Sequence, residues 1–314
     1  MKAYYSTKYG GPEFAFYGDL PDSIAKPGEV LVRIEAVSIN PVDYKVMSGA
    51  LRIVTGLKFP KIFGTDFAGI VKEITDGVTD FKKGDRIYGS ATIIFGKHGA
   101  LAELISVLPQ KIRLIPEGMS FKEAASLPVA ALTALNGIRR CKVKENSKVL
   151  INGATGGVGH FAVQIAKDLG AQVIASCSSE NAELAQQLGA EKVINYMNEE
   201  LRNEGSDFDA IMDAYGKMNY TTIIKLLKKG GIYASTLFFP PAQIKAAITK
   251  ILYGKIMTSA NMRAKSEDYE EIERLWREKK LIPLIDSTFS LSKCGDAFYH
   301  AEHGKPRGKV VVTV

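Results

Sequence analysis

Cysteine is scarce: Cys141, Cys177 and Cys294 are the three in 314 residues, and no C-x-x-C pair joins any two of them. That spacing excludes a disulfide framework and a cysteine-rich zinc site, and it predicts a reducing, cytoplasmic setting. Histidine is nearly as sparse, with four residues, and His98 and His160 stand alone. No run of eighteen apolar residues occurs, and the first residues (Met1, Lys2, Ala3, Tyr4, Tyr5) lack the apolar stretch of a secretory signal. A soluble protein without stable membrane insertion is expected. Internal repeats, low-complexity segments and blocks of like charge are also missing. The 41 basic and 34 acidic residues leave a dispersed excess of +7, which gives no nucleic-acid footprint and suits an anionic small ligand.

What is present is a change of period. Residues 1–118 carry short β-branched runs (Val30–Val37, Ala68–Ile74, Arg86–Tyr88, Leu101–Ile105, Lys111–Leu114) separated by Gly, Pro and Asp turns. Residues 119–267 alternate strand-like and helix-like segments: strands at Val149–Ile151, Gln172–Ala175, Lys192–Ile194, Ala210–Asp213 and Ile232–Ser235, with helices at Glu123–Arg139, Val158–Leu169, Asn181–Leu188 and Tyr220–Leu227. This βαβ order predicts an α/β, doubly wound parallel sheet. Residues 268–314 hold a charged helix over Asp268–Lys279 and strand-like runs at Leu281–Leu291 and Lys309–Val314, a tail expected to rejoin the first domain. At about 100–200 residues per domain, two domains fit the length.

The sharpest chemistry lies in Gly153-Ala154-Thr155-Gly156-Gly157-Val158-Gly159, which follows an apolar strand and opens a helix. It approximates G-x-G-x-x-G with Ala154 in the first place. Gly156 lets a pyrophosphate approach the backbone, Gly159 lets helix and strand pack closely, and the helix start offers unpaired N–H groups. After the next strand comes Cys177-Ser178-Ser179-Glu180-Asn181, with no carboxylate at the strand end to receive a ribose 2′-hydroxyl. Cys177, Ser178, Ser179 and Asn181 are therefore candidate contacts, and NADPH is expected in preference to NADH. Glu180 serves the next helix start equally well, and no basic residue stands in this turn.

These features, together with Ser38–Lys45, Gly64–Gly69, Gly84–Gly89, Ala124–Pro128 and Gly308–Val312, resemble the medium-chain dehydrogenase/reductase superfamily, in its zinc-free quinone-oxidoreductase-like branch. The resemblance spans nearly the whole chain. It implies a GroES-like β-rich catalytic domain completed by the C-terminal segment, a Rossmann domain between, a cleft at their junction, and a homodimer. Zinc members carry Cys where this chain runs Pro41–Asp43 and His-Glu where it has Thr65-Asp66, so no zinc is expected. His300 and His303 lie three apart near Cys294, but two ligands without a third rarely hold zinc, and a solvated helix end explains them.

The resemblance places Asn40 and Asp43 in the cleft, and the Asp43-Tyr44-Lys45 variant looks like the branch with plant enone oxidoreductases. The expected reaction moves hydride from NADPH to a quinone or to the β-carbon of an enone. Lys45, or a water held by Asn40, would stabilise and protonate the enolate, with Tyr44 a further candidate. A turn or cap beside Pro41 explains Asn40 and Asp43 equally well, and solvation explains Lys45. Thr133 matches a family threonine near the nicotinamide ribose, although it also suits a helix interior. Thr236, Leu237 and Phe238 follow the fifth strand, where ligands of parallel sheets bind, while Asp213 suits either cofactor contact or cap. Residues 240–255 form an amphipathic segment open to four readings: lid, subunit contact, membrane-surface helix or packing on its own domain. A competing function is an NADP(H)-binding redox sensor or scaffold with little turnover.

Overall fold

The structure is a computed structural model that describes residues 1–91, 99–198, 200–237 and 240–314. Its contacts divide the chain into Met1–Val129 with Ile285–Val314, and Ala130–Leu284.

The first unit begins with β1 (Lys2–Ser6), β2 (Ala15–Asp19) and β3 (Val30–Ser38). Two short helices follow, α1 (Pro41–Met47) and α2 (Arg52–Thr55). Then come β4 (Lys61–Ile62), β5 (Asp66–Ile74), β6 (Arg86–Ser90), β7 (Leu104–Val107), β8 (Ile112–Leu114) and α3 (Phe121–Ser126). The helical period running from Glu123 to Arg139 is broken, because Pro128 cannot donate to the preceding turn and disfavours helix in the residue before it. A separate helix, α4 (Pro128–Arg140), starts there and leads into the second unit.

The second unit holds β9 (Lys148–Asn152), α5 (Gly159–Asp168), β10 (Gln172–Cys177), α6 (Ala182–Leu188) and β11 (Lys192–Asn195). It continues with β12 (Phe208–Asp213), α7 (Tyr220–Leu226), β13 (Leu227–Ser235), α8 (Pro240–Tyr253), β14 (Ile256–Ser259) and α9 (Ser266–Arg277). Its six strands are all parallel, in the order β11-β10-β9-β12-β13-β14. From β9 the chain winds one way through β10 and β11, then crosses to wind the other way from β12. That reversal is the switch point at which open α/β sheets bind ligands beyond the strand ends. The strands are apolar on both faces, as a sheet covered by helices requires: Val149, Leu150, Ile151, Ala210, Ile211 and Met212 are all fully buried.

The chain then returns to the first unit through β15 (Ile285–Ser290), α10 (Cys294–His303) and β16 (Lys309–Thr313). The larger sheet there runs β15-β16-β3-β5-β6-β8, with β7 also on β3, beside a small sheet β2-β1-β4. β16 pairs parallel with β15 and antiparallel with β3, so the tail fills the interior of the sheet. The rings of Tyr4 and Phe63 meet Phe298 of α10 in the core of this unit.

The unit boundaries fall at 129/130 and 284/285, later than the 118/119 and 267/268 expected from the change of period. Side chains explain both shifts. Asp66 accepts from the Val129 N–H at 2.9 Å, which ties the start of α4 to the first unit. The Asp268 carboxylate pairs with Arg139, and Arg274 and Lys280 both reach Asp168, so α9 stays with the second unit. The other unforeseen element, β14, extends the parallel sheet directly after α8. α8 itself packs on β14, and its buried Thr249 shares a 2.7 Å hydrogen bond with Tyr220, leaving Ile248, Ile251 and Leu252 exposed. Among the described residues no helix is long and apolar enough to cross a membrane.

Candidate active-site elements

The glycine turn sits at the carboxyl end of β9, at the switch point. Gly153 takes a left-handed φ of 73°, and the Gly153 and Ala154 N–H groups donate to Ser176 O of β10 at 3.0 and 3.1 Å. The turn is thus pinned to the neighbouring strand. Ala154 and Thr155 are buried, whereas Gly156, Gly157 and Val158 are partly open. Gly159 must be glycine for packing, because a Cβ there would lie 2.0 Å from Gly153 O. Gly156 is different. Its φ lies outside the left-handed region, and a Cβ there would meet its nearest protein atom at an ordinary 3.4 Å. Nothing inside the protein demands glycine at 156; a group arriving from outside would. Among the described residues no protein acceptor takes the N–H groups of Gly157, Val158 or Gly159. Such a row of open donors at a helix start suits a phosphate.

Beside the turn, Asp213 at the end of β12 is fully buried and acts as a cap. It accepts from Asn152 Nδ2 at 2.7 Å, Gly216 N at 2.8 Å, Met218 N at 2.9 Å and Tyr233 Oη at 2.8 Å. Burial, with the Asp213 carboxylate adding to it, pushes the Tyr233 phenol well above its ordinary range. Thr236 Oγ1 donates to Ala214 O at 3.2 Å, and Leu237 N to Ser235 Oγ at 3.1 Å, so both lie at the end of β13 next to the Asp213 loop. Phe238 lies outside the described residues, as does His98. Thr133 is buried on α4.

At the end of β10, Cys177 is buried and burial raises its thiol, which suits packing better than redox chemistry. Ser178 and Ser179 border an open recess of about 490 Å³ that also touches Gln186, Lys192 and Asn195. Asn181 Nδ2 donates to Ser178 Oγ at 3.1 Å and Asn195 Nδ2 to Ser179 Oγ at 2.5 Å. Lys192 points its ammonium at Glu204, 2.6 Å away.

Two residues near the turn escaped the sequence reading. Tyr215 is exposed and its Cβ would lie 3.3 Å from a Cβ built on Gly153, while Lys217 stands over the Tyr215 ring at 5.2 Å. Both follow β12 at its carboxyl end, where position alone marks them.

In the first unit, Asn40, Asp43, Tyr44 and Lys45 share the start of α1. Asn40 and Asp43, expected as catalytic groups, have their side chains turned into a buried polar cluster. Asp43 accepts from Asn40 N at 2.8 Å, closing half of a capping box, and from Thr65 Oγ1 at 2.6 Å. Asn40 Nδ2 donates to Ser38 O at 3.2 Å and Asp66 at 3.0 Å, and its Oδ1 receives Lys309 Nζ at 2.6 Å. Asp66 also accepts from Ser90 Oγ at 3.2 Å, and Lys309 donates to Ile39 O at 3.2 Å. These are the contacts of a cap and brace.

Burial favours the neutral form of every member of this cluster. It moves Asp43 up to about 6 against the hydrogen bonds from Thr65 and Asn40, and Asp66 up to about 7 against the pull of Lys309. The same burial pushes Lys309 down, while both carboxylates draw it back. Two acids face one base here, so burial and the mutual repulsion of the carboxylates favour protonation while Lys309 opposes it. Tyr44 and Lys45 are half-buried, and the Tyr44 ring packs against the core of the unit. His300 is engaged by Asp286 at 2.6 Å, and among the described residues no three His, Cys, Asp or Glu side chains gather to hold a metal.

Known proteins agree with this architecture. Residues 26–117 match the alcohol dehydrogenase GroES-like domain family and residues 157–277 the zinc-binding dehydrogenase family. A chloroplast envelope quinone oxidoreductase homolog from Arabidopsis thaliana is 33% identical, covering 98% of this chain and 96% of its own. An NADPH-dependent alkenal/one oxidoreductase, chloroplastic, from the same plant is 30% identical over 99% of this chain and 79% of its own. The structure of the quinone oxidoreductase from Coxiella burnetii superposes with a TM-score of 0.91 at 32% identity, covering 100% of this chain and 99% of that one. The chain belongs to the medium-chain dehydrogenase/reductase superfamily, among its quinone-oxidoreductase-like members.

Proposed function

We propose that this protein is a zinc-independent oxidoreductase that moves hydride from NADPH to a quinone or to the β-carbon of an α,β-unsaturated carbonyl compound. The observation that carries the reading is Gly156: glycine stands where neither packing nor φ requires it, beside open N–H donors at the start of α5. Those donors and the positive end of α5 suit a pyrophosphate. The hydroxyl and amide groups of Ser178, Ser179 and Asn181, with no carboxylate ending β10, suit a 2′-phosphate rather than a bare ribose hydroxyl. NADPH, when bound, supplies the hydride.

The protein's part in the chemistry is positioning and proton supply. Hydride addition to an enone leaves negative charge on the carbonyl oxygen and a carbon that must take a proton. Lys45 is our candidate for both tasks, with Tyr44 beside it, while Asn40 and Asp43 hold the start of α1. Zinc does not fit the residues present. The Lys309 ammonium donates to Asn40 Oδ1 and faces Asp66, its charge would repel a second cation, and among the described residues no three His, Cys, Asp or Glu side chains gather to hold one. A cytoplasmic homodimer is part of the proposal; its three cysteines are free and buried, which suits a reducing compartment.

Steady-state NADPH oxidation with a panel of quinones, enones and aldehydes, before and after chelator treatment, tests the reading. Turnover of a quinone or enone at a rate unchanged by chelator is expected. Tight NADPH binding without turnover of any substrate would favour the scaffold function, and loss of rate with chelator would restore a metal.

A further inference from the structure

We propose that His160 is a positioning residue of the dinucleotide turn, aiming the Gly157 N–H at the phosphates by holding the Gly156 carbonyl. The proposal rests on the nucleotide reading of the turn given above.

The tautomer follows from the partners. The His160 ring is fully buried, with Nε2 3.2 Å from Leu284 N and Nδ1 2.9 Å from Gly156 O. A backbone N–H can only donate and a carbonyl can only accept. Nε2 is therefore the bare acceptor and Nδ1 carries the proton, which it donates to Gly156 O. The same oxygen also accepts the His160 backbone N–H at 3.1 Å. Two donors thus draw the Gly156 carbonyl toward α5.

In a trans peptide the C=O and the following N–H point in opposite directions. The cis bond found among the described residues is Phe59–Pro60, far from this turn in sequence. Fixing the Gly156 carbonyl inward therefore fixes the Gly157 N–H outward, away from the helix and on the open side of the turn. The peptide joins two glycines, whose backbones would otherwise visit many orientations. A ligand meeting the unbraced turn would have to order it first, at a cost in affinity.

The ring is itself braced. One helical turn along α5, Gln164 Nε2 donates to Ile282 O at 3.1 Å and its Oε1 accepts Ile282 N at 2.8 Å. Residues four apart on a helix lie on one face. His160 and Gln164 accordingly grip alternate residues, 284 and 282, of one extended segment, with Pro283 between them lacking a donor. Histidine suits this place because its two nitrogens reach the glycine turn and the 282–284 segment at once.

Three substitutions separate the two contacts. In His160→Asn the amide nitrogen can occupy the place of Nδ1 but nothing reaches Leu284. In His160→Gln the amide lies further out, where its oxygen can accept from Leu284 but leaves Gly156 without the second donor. His160→Leu removes both. NADPH affinity by calorimetry should fall about tenfold in His160→Leu and His160→Gln, the effect of one lost hydrogen bond, and return to within about threefold of the parent in His160→Asn. Thermal stability should follow the other contact, with His160→Gln above His160→Asn. A long-range 1H–15N spectrum of the parent protein without ligand should show a protonated Nδ1 and a bare Nε2.

Equal NADPH affinity in all four proteins overturns the role of His160 and leaves the nucleotide site standing. Affinity that merely tracks stability, with His160→Asn as weak as His160→Leu, reduces His160 to packing and also overturns it. A parent protein that binds neither NADPH nor NADH refutes the nucleotide reading and this inference together.

Discussion

Replacing Lys309 by Met tests the buried cluster of the first unit. The substitution is close in volume and removes one charge, leaving Asp43 and Asp66 in a site from which solvent is excluded. It also frees Asn40 Oδ1 and Ile39 O, which lie 2.6 and 3.2 Å from the ammonium. Removing one partner of a buried ionic group costs about 3–5 kcal/mol, against a total stability of about 5–15 kcal/mol for a domain. The loss should depend on pH in a definite sense. Both carboxylates are raised in the folded state, to about 6 and about 7, so the native protein holds more protons than the unfolded chain above the ordinary carboxylate range. Their contribution is complete below that range and is lost as pH rises through 6 and 7. Without Lys309 to draw them down, both carboxyls move further up, and the deficit of the variant should widen from acid to mildly alkaline pH. Urea titration followed by far-UV circular dichroism measures it. The fluorescence of the single tryptophan, Trp276 on α9 of the other unit, provides an internal reference that should shift less. Adding Asp66→Asn to the variant should recover part of the loss by removing a stranded charge. A deficit below about 1 kcal/mol, or one that is the same on both sides of neutrality, would refute the account of two buried carboxyls held by one lysine.

Further outcomes follow from the same geometry. Gly156→Ala should leave thermal stability nearly unchanged, since its Cβ meets only an ordinary contact, yet weaken NADPH binding tenfold or more, by about 1.4 kcal/mol. Gly159→Ala should lower stability itself by about 1–3 kcal/mol, because its Cβ would press on Gly153 O; equal behaviour of the two alanines would show that the turn is only structural. Asp213→Asn replaces an acceptor of four hydrogen bonds by a group with one acceptor oxygen, and a loss of about 1–3 kcal/mol is expected in denaturant titration. Lys45→Met should reduce kcat/KM for a good enone substrate by about tenfold to a thousandfold; an unchanged value removes Lys45 from the proton supply.

The parallel sheet was readable because strands buried on both faces are short apolar runs, and the helices between them keep a helical period. The glycine turn was readable for a local reason: strand, turn and helix start are contiguous. Asn40 and Asp43 show the opposite case. Their residue types and the resemblance suggested catalysis as readily as a cap, and the partners that engage the Asn40 side chain, Asp66 and Lys309, lie 26 and 269 residues away and meet it only when β5 and β16 take their places in the sheet. His160 stands alone in the sequence because its second partner, Leu284, is 124 residues away. The break at Pro128 was in plain view as a residue, yet a continuous helical period ran across it and hid the start of α4.

The interior place of β16 has a consequence for synthesis. A ribosome delivers residues 130–284 as one continuous stretch, so the second unit can close while the chain is still growing. The first unit cannot: the edge of β3 that β16 covers, and the carboxylates that Lys309 serves, must wait until residue 313 has emerged. For most of translation the N-terminal strands are an unfinished sheet with an open edge, and premature termination within the last strand would release a chain whose nucleotide unit is whole and whose other half can never close.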